Sequence, residues 1–447
     1  MDWHTLINTD RGRDHGKEED PLRRNFVQDA DRITFSAPFR RLANKTQVHP
    51  LYEHDHLRHR MIHSVEVASV GRTLGMKVGH WLEGQGHLAP GEASKVAGIV
   101  HAACLAHDIG NPPFGHSGEE AMGGWIEEQF QAKRALFDDI PEDKRVEFTP
   151  LEGNAQGFRI ITRLEMYRNQ GGMNLSHAVL GAFTKYPMTA STSKALCEAN
   201  GGKAPYVGAK KFGVFQSEFD YLQTAARALG LPEETAPDGS AWWRRHPLVF
   251  LVEAADDICY NIVDLEDGFS SGDLNLKQVE DLLDPIAIPT NRDITSYSDY
   301  ERVSYLRARS IGGAINACVE AFIDHHTAIL AGQFSDELIA VSNKSEAFAA
   351  IKDCARNRLF TAPRKTKLEI QGRNSIRRVL QGVWPVYEAL AAAQWTRDNL
   401  PAYETQLARA FALDLRDVTD AYSALHSLTD FVSGMTDRYA VKTAELL

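Results

Sequence analysis

The chain has 447 residues, 43% of them apolar and 24% charged, an ordinary globular composition with room for about three structural units or one large helical domain. Lysine and arginine number 49 against 60 aspartates and glutamates, so the formal charge is −11. That balance excludes a broadly basic nucleic-acid coat but not a local basic pocket. Five scattered cysteines without a CxxC pair indicate neither a disulfide framework nor a thiolate zinc site. The 17 histidines stand out, packed most densely from His49 to His107. Histidine is the commonest metal ligand and the usual acid or base near neutral pH.

In chain order, the opening MDWHTLINTDRGRDHGKEED lacks the apolar stretch of a secretory signal. The most apolar runs, Val96–Ala106 and Leu248–Ala255, are too short to span a bilayer. A cytoplasmic protein without membrane contact is expected. From His63 to Leu82, apolar Val65, Ala68, Leu74, Val78, Trp81 and Leu82 recur at helical steps. GQGHLAPGE reads as a loop and Ala93–His107 as a buried helix, stopped by the proline pair in GNPPFG. Further helices are expected at Ser117–Gln131, Asn154–Asn169, Ser176–Thr184, Ser217–Leu229 and Pro247–Asp267, with Pro247 at the first helical position. Residues 186–213 read as a loop or insertion, and 284–298 as a linker. The expected fold class is mainly α. An N-terminal arm (1–50) leads into a helical core (51–283), and an appended helical region (284–447) follows. Within that region, Ile311–Leu330 and Val379–Ala393 suit either oligomer contacts or internal core.

Three features bear on chemistry. His107-Asp108 ends an apolar helix, and a buried aspartate is costly unless paired or bound to metal. The bland alternative is a histidine favouring the helix dipole beside a loop aspartate. On the later helix, Asp256, Tyr260 and Asp264 follow at four-residue steps and share one face, among Val249, Leu251, Val252 and Ile258. Arg60 and His63, three apart, point the same way, while His54, His56 and His59 read as surface or loop residues. Two imidazoles with two carboxylates, one of them from the adjacent pair Asp256-Asp257, suit a divalent metal acting as Lewis acid and activator of water.

The H…HD…D pattern resembles the HD-domain metal-dependent phosphohydrolases. The wording around it, RMIHSVEVASVGR, LAHDIGNPPFGHSGEEAM, EGNAQGFRII and LVEAADDICYNIVDLEDG, closely resembles the bacterial deoxyguanosine triphosphate triphosphohydrolases and their dNTPase relatives, and SGMTDRYA at Ser433–Ala440 resembles the family ending. This resemblance implies an HD-domain core and hydrolysis of a deoxynucleoside triphosphate to deoxynucleoside and intact triphosphate, which controls dNTP pools. It implies metal ligands at His63, His107, Asp108 and Asp256. Asp256 is preferred to Asp257 because the family pattern puts the ligand four residues before the tyrosine, and helical neighbours diverge by about 100°. His116 and Glu119 match the family's catalytic pair. Arg60, Lys185 and Lys211 correspond to phosphate contacts, with Lys210 inseparable from Lys211. Tyr260, Asp264 and Gln47 correspond to sugar contacts, and Asn174 to a base-side contact.

The resemblance further implies one divalent ion per site, Mn²⁺ or Mg²⁺ first, with Fe²⁺, Co²⁺ or Zn²⁺ also compatible. It implies a homo-oligomer, hexamer or tetramer, with single-stranded DNA or a second dNTP as activator. Two alternatives stand beside it. One is an HD phosphohydrolase of a nucleoside monophosphate or cyclic nucleotide. The other is a regulatory nucleotide or single-stranded-DNA binder using the basic stretch Arg356–Arg378, where Phe360 lies between cations.

Overall fold

Two antiparallel helices, Arg60–Gly84 and Ala93–Ala106, set the position of everything that follows. The structure is a computed structural model, and it describes residues 1–13, 19–47, 58–132, 135–359 and 363–447. Gly71, Gly75 and Gly79 recur every fourth residue and share one face of the first helix. A Cβ on Gly75 would lie 2.9 Å from the Ala97 Cα, and one on Gly79 2.7 Å from the Ala93 Cα. The two backbones therefore touch, with no side chain between them. Since the pair is antiparallel, the start of the first helix, bearing His63, meets the end of the second, bearing His107. Gly75→Val is expected to force the helices apart and cost about 1–3 kcal/mol through overpacking. An unchanged denaturant midpoint would show that the contact is not tight.

The Val249–Ser270 helix packs on this pair, and its Ala255 Cβ lies 3.5 Å from where a Gly71 Cβ would stand. It begins at Val249, not Pro247. The chain still turns at Pro247, because His246 Nδ1 accepts the Leu248 N–H at 3.1 Å. The Asp299–Asp324 helix, opened by a Ser298/Glu301 capping box, closes the first apolar cluster. A second cluster forms where Pro363–Ala392 packs against His116–Gln131, Ala421–Ser433 and Asp437–Leu446. There the Trp125 and Trp384 rings meet edge to face, centroids 5.5 Å apart. Val379, Leu380 and Val383 are fully buried in this cluster, so that stretch is core within its own chain.

Other expectations change. The stretch 154–169 is not one helix. Gly153–Arg159 runs into a π turn at Ile160–Leu164 and stops. Met173 N–H takes the Ile161 carbonyl at 2.8 Å, and the chain turns back through left-handed Met166 and Asn169. Nor is 186–213 a loop throughout: Thr189 caps an Ala190–Ala199 helix by accepting the Thr192 N–H. Its short, polar ASTSKALCEA has too weak an apolar period to announce a helix. The one sheet among the described residues pairs Glu233–Thr235 with Ala241–Trp243. Residues 284–298 carry no regular element. No described helix is long and apolar enough to cross a membrane. In the basic stretch, Arg377 is already paired with Glu128 at 2.6 Å, and Phe360 lies outside the described residues, as do His54 and His56.

Candidate active site

A cavity of about 420 Å³ opens where the two clusters meet, lined by Phe183 of the first and Phe114 of the second. The helix pair brings one atom each from His63, His107 and Asp108 within 4.8 Å of one another. The later helix adds Asp256, whose Oδ1 lies 3.0 Å from His63 Nε2 and 3.7 Å from His107 Nε2. Asp257 points elsewhere, with Lys352 and Glu337 as charged neighbours. The alternation that the helix demands thus puts Asp256, not its neighbour, beside the histidines.

The donor set fits a cation. His107 Nδ1 lies 2.7 Å from the Cys104 carbonyl, which can only accept, so Nδ1 carries the proton and Nε2 keeps its lone pair. That Nε2 is buried and has no hydrogen-bond partner among the described residues, although carboxylate oxygens of Asp108 and Asp256 stand at 3.6 and 3.7 Å. Lone pairs facing one another repel, and a divalent ion between them removes the conflict. Burial opposes ionisation of Asp108, but Arg60, whose Nη1 donates to Asp108 Oδ2 at 2.6 Å, outweighs it and holds the carboxyl below its usual range. Burial likewise opposes charge on Asp256, while the hydrogen bond from His63 Nε2 at 3.0 Å and the nearby Lys185 ammonium favour it, and the carboxyl stays below its usual range. Both carboxylates are therefore anionic at neutral pH, as metal binding requires.

Eight residues beyond Asp108, His116 opens its helix with its side chain 87% exposed toward the cavity, and its Nδ1 lies 2.7 Å from Glu119 Oε2. Glu119 is buried, and its other oxygen accepts the Gly153 N–H at 2.8 Å. The hydrogen bond to Glu119, against the pull of burial, raises the His116 pKa above its ordinary value. The glycines of EGNAQG now have a reason. A Cβ on Gly153 would lie 2.3 Å from Asn111 Oδ1, and one on Gly110 2.1 Å from the Gly153 carbonyl. Only glycine lets these segments approach so closely.

Two lysines line the cavity, each held by a buried glutamate. Lys211 Nζ lies 2.8 Å from Glu152 Oε2, and Lys185 Nζ 3.2 Å from Glu253 Oε1. Glu253 also pairs with Arg245 at 2.7 Å, and Arg245 Nε donates to the Lys185 carbonyl at 2.8 Å. The sequence alone marks neither Glu253, Glu152 nor Arg245 as a support of these lysines. An arginine eight residues before a glutamate inside an apolar helix was the available signal. Lys210, inseparable from Lys211 by sequence, faces a neighbouring groove rather than the cavity. Gln47 lines the wall with its Oε1 buried and without a partner among the described residues. Tyr260 lines it one turn beyond Asp256. Asp264, roughly 12 Å further along the helix axis from Asp256, is buried outside the lining. Asn174 does not join the site. It is buried at φ 51°, and its carbonyl accepts from Arg11 and from Arg32 at 2.7 Å.

This helical frame with its His/Asp cluster is that of an HD domain, and the HD-domain family model matches residues 60–200. Over the full length, a deoxyguanosinetriphosphate triphosphohydrolase-like protein of Pseudomonas aeruginosa is 38% identical, covering 99% of this chain and 98% of its own. One of the same description from Synechocystis is 37% identical over 98% of this chain and 97% of its own. A deoxyguanosinetriphosphate triphosphohydrolase of Yersinia enterocolitica is 27% identical over 95% of this chain and 94% of its own. The chain belongs to the deoxyguanosinetriphosphate triphosphohydrolase-like family of HD-domain phosphohydrolases.

Proposed function

We propose that the chain hydrolyses deoxynucleoside triphosphates, dGTP among them, to deoxynucleoside and inorganic triphosphate. The observation that carries this reading is the meeting of the His63, His107, Asp108 and Asp256 cluster with His116 and two lysines in one cavity. Those four residues would hold the divalent ion, which, when bound, supplies Lewis-acid polarisation and a more acidic water. Lys185, Lys211 and Arg60 neutralise the triphosphate and place its α-phosphorus. Water adds at that phosphorus, the bond to the sugar 5′-oxygen breaks, and His116 Nε2 protonates or relays a proton to the departing oxygen. Glu119 keeps His116 oriented and protonated. Gln47 faces the sugar, and the Tyr260 ring fills the space that a 2′-hydroxyl would need.

The test is a panel of dNTPs and rNTPs, alone and in pairs, with Mn²⁺ or Mg²⁺, reading triphosphate release. Stimulation by a second nucleotide, or by added single-stranded DNA, would mark an activator site, and the mass in solution would read the expected homo-oligomer. Orthophosphate or pyrophosphate as the product would sink the reading and favour another HD activity. In the same panel, Tyr260→Ala is expected to bring the catalytic efficiencies for dNTP and rNTP closer together. Equal ratios in wild type and variant would remove Tyr260 from sugar selection.

A further inference from the structure

The Ser433–Ala440 segment has no part in the chemistry above, yet it reaches the site from the far end of the chain. Asp437, the first residue of its helix, is 2% exposed and lies outside the cavity lining. Its Oδ1 accepts the Phe114 N–H at 3.0 Å. Its Oδ2 accepts the Thr46 N–H at 3.0 Å and the Thr46 hydroxyl. Beside it, the buried Lys45 Nζ donates to the carbonyls of Asn111 and Ser433, each at 2.6 Å. The turn from Asn111 to Phe114 is thus tied at both ends, and the same two groups tie it to the C-terminal segment.

That turn needs holding. It leads from Asp108 to His116, and Phe114 sits at φ 63° in the left-handed region, followed by Gly115 at φ 56°. A left-handed phenylalanine costs on the order of 1–2 kcal/mol, so the conformation persists only where surrounding contacts impose it. The Asp437 carboxylate satisfies the Phe114 N–H in that conformation. Gly372 leaves room for the ring: a Cβ there would lie 2.5 Å from it.

We infer that Asp437 is a positioning residue for His116, acting through the Phe114 turn with Lys45 as the second clamp. The inference rests on the phosphohydrolase reading of His116. The C-terminal helix thereby completes the active site without touching substrate. A charged, bifunctional acceptor is needed because two separate backbone N–H groups converge on it, one from each side.

Asp437→Asn is the discriminating variant, because it keeps size and shape but must present an NH₂ to one of those N–H donors. In the metal-loaded full chain, kcat for triphosphate release is expected to fall about tenfold or more from misplacement of His116. KM and metal content stay at wild-type values. In a His116→Ala background the same substitution is expected to change kcat less than about twofold, since residues acting through one another are not additive. Hydrogen exchange over residues 110–118 should quicken while the Arg60–Gly84 helix keeps its protection. Equal losses in both backgrounds, or exchange as slow as wild type, would overturn the inference. Absence of triphosphate release from the wild type with every dNTP would instead overturn the proposed function, and the exchange measurement would still read the clamp.

Discussion

Alanine at His107 or at Asp108 should remove the divalent ion and the hydrolytic activity together. The expected loss exceeds the roughly 10- to 100-fold that outer contacts of metal sites cost. His107 Nε2 has no other partner among the described residues, and Asp108 is the carboxylate that Arg60 holds anionic beside it. Removing either leaves too few donors to compensate the dehydration of the ion. A second readout does not depend on turnover. Ligand that binds only the folded state stabilises it by mass action, so added Mn²⁺ should raise the melting temperature of the wild type and not that of the variants. A variant that is fully metallated and active would refute the ligand assignment.

His116→Ala is expected to lower kcat about 10²- to 10⁴-fold, the usual worth of a positioned acid, while metal content is unchanged. Glu119→Gln separates orientation from charge. In the wild type, the Glu119 carboxylate holds the His116 pKa above its ordinary 6.5, so the protonated form survives to higher pH. Activity that needs this proton is present below the raised pKa and lost as pH rises through it. Glutamine removes the negative charge while still able to accept the Gly153 N–H. The alkaline limb of the kcat profile should therefore move to lower pH. A limb that stays in place would exclude His116 as the titrating acid.

Much of the site was legible because it is local. The helical period around His63, the apolar run ending at His107-Asp108 and the four-residue step from Asp256 to Tyr260 each record one helix face, and the family wording joined them. What was not legible depends on contacts between distant segments. Glu253 acquires its role from Arg245 and Lys185, and Asp437 from Thr46 and Phe114, and no local period records such partners. The glycine stripe at Gly71, Gly75 and Gly79 was visible as letters, but its meaning needs the second helix against it. Asn174 misled for the same reason: its surroundings are Arg11 and Arg32, far off in sequence. The Ala190–Ala199 helix escaped because a cap, not an apolar stripe, starts it.

The two lysine–glutamate pairs lining the cavity carry a kinetic consequence. Each ammonium already has an anionic neighbour before any substrate arrives, at 2.8 Å for Lys211 and 3.2 Å for Lys185. An incoming polyanion must share these cations rather than claim them, so its residence time is shorter than bare lysines would impose. Differences among related complexes lie mostly in such dissociation rates. For an enzyme that would release a product more highly charged than its leaving nucleoside, this arrangement trades tight holding for rapid clearance.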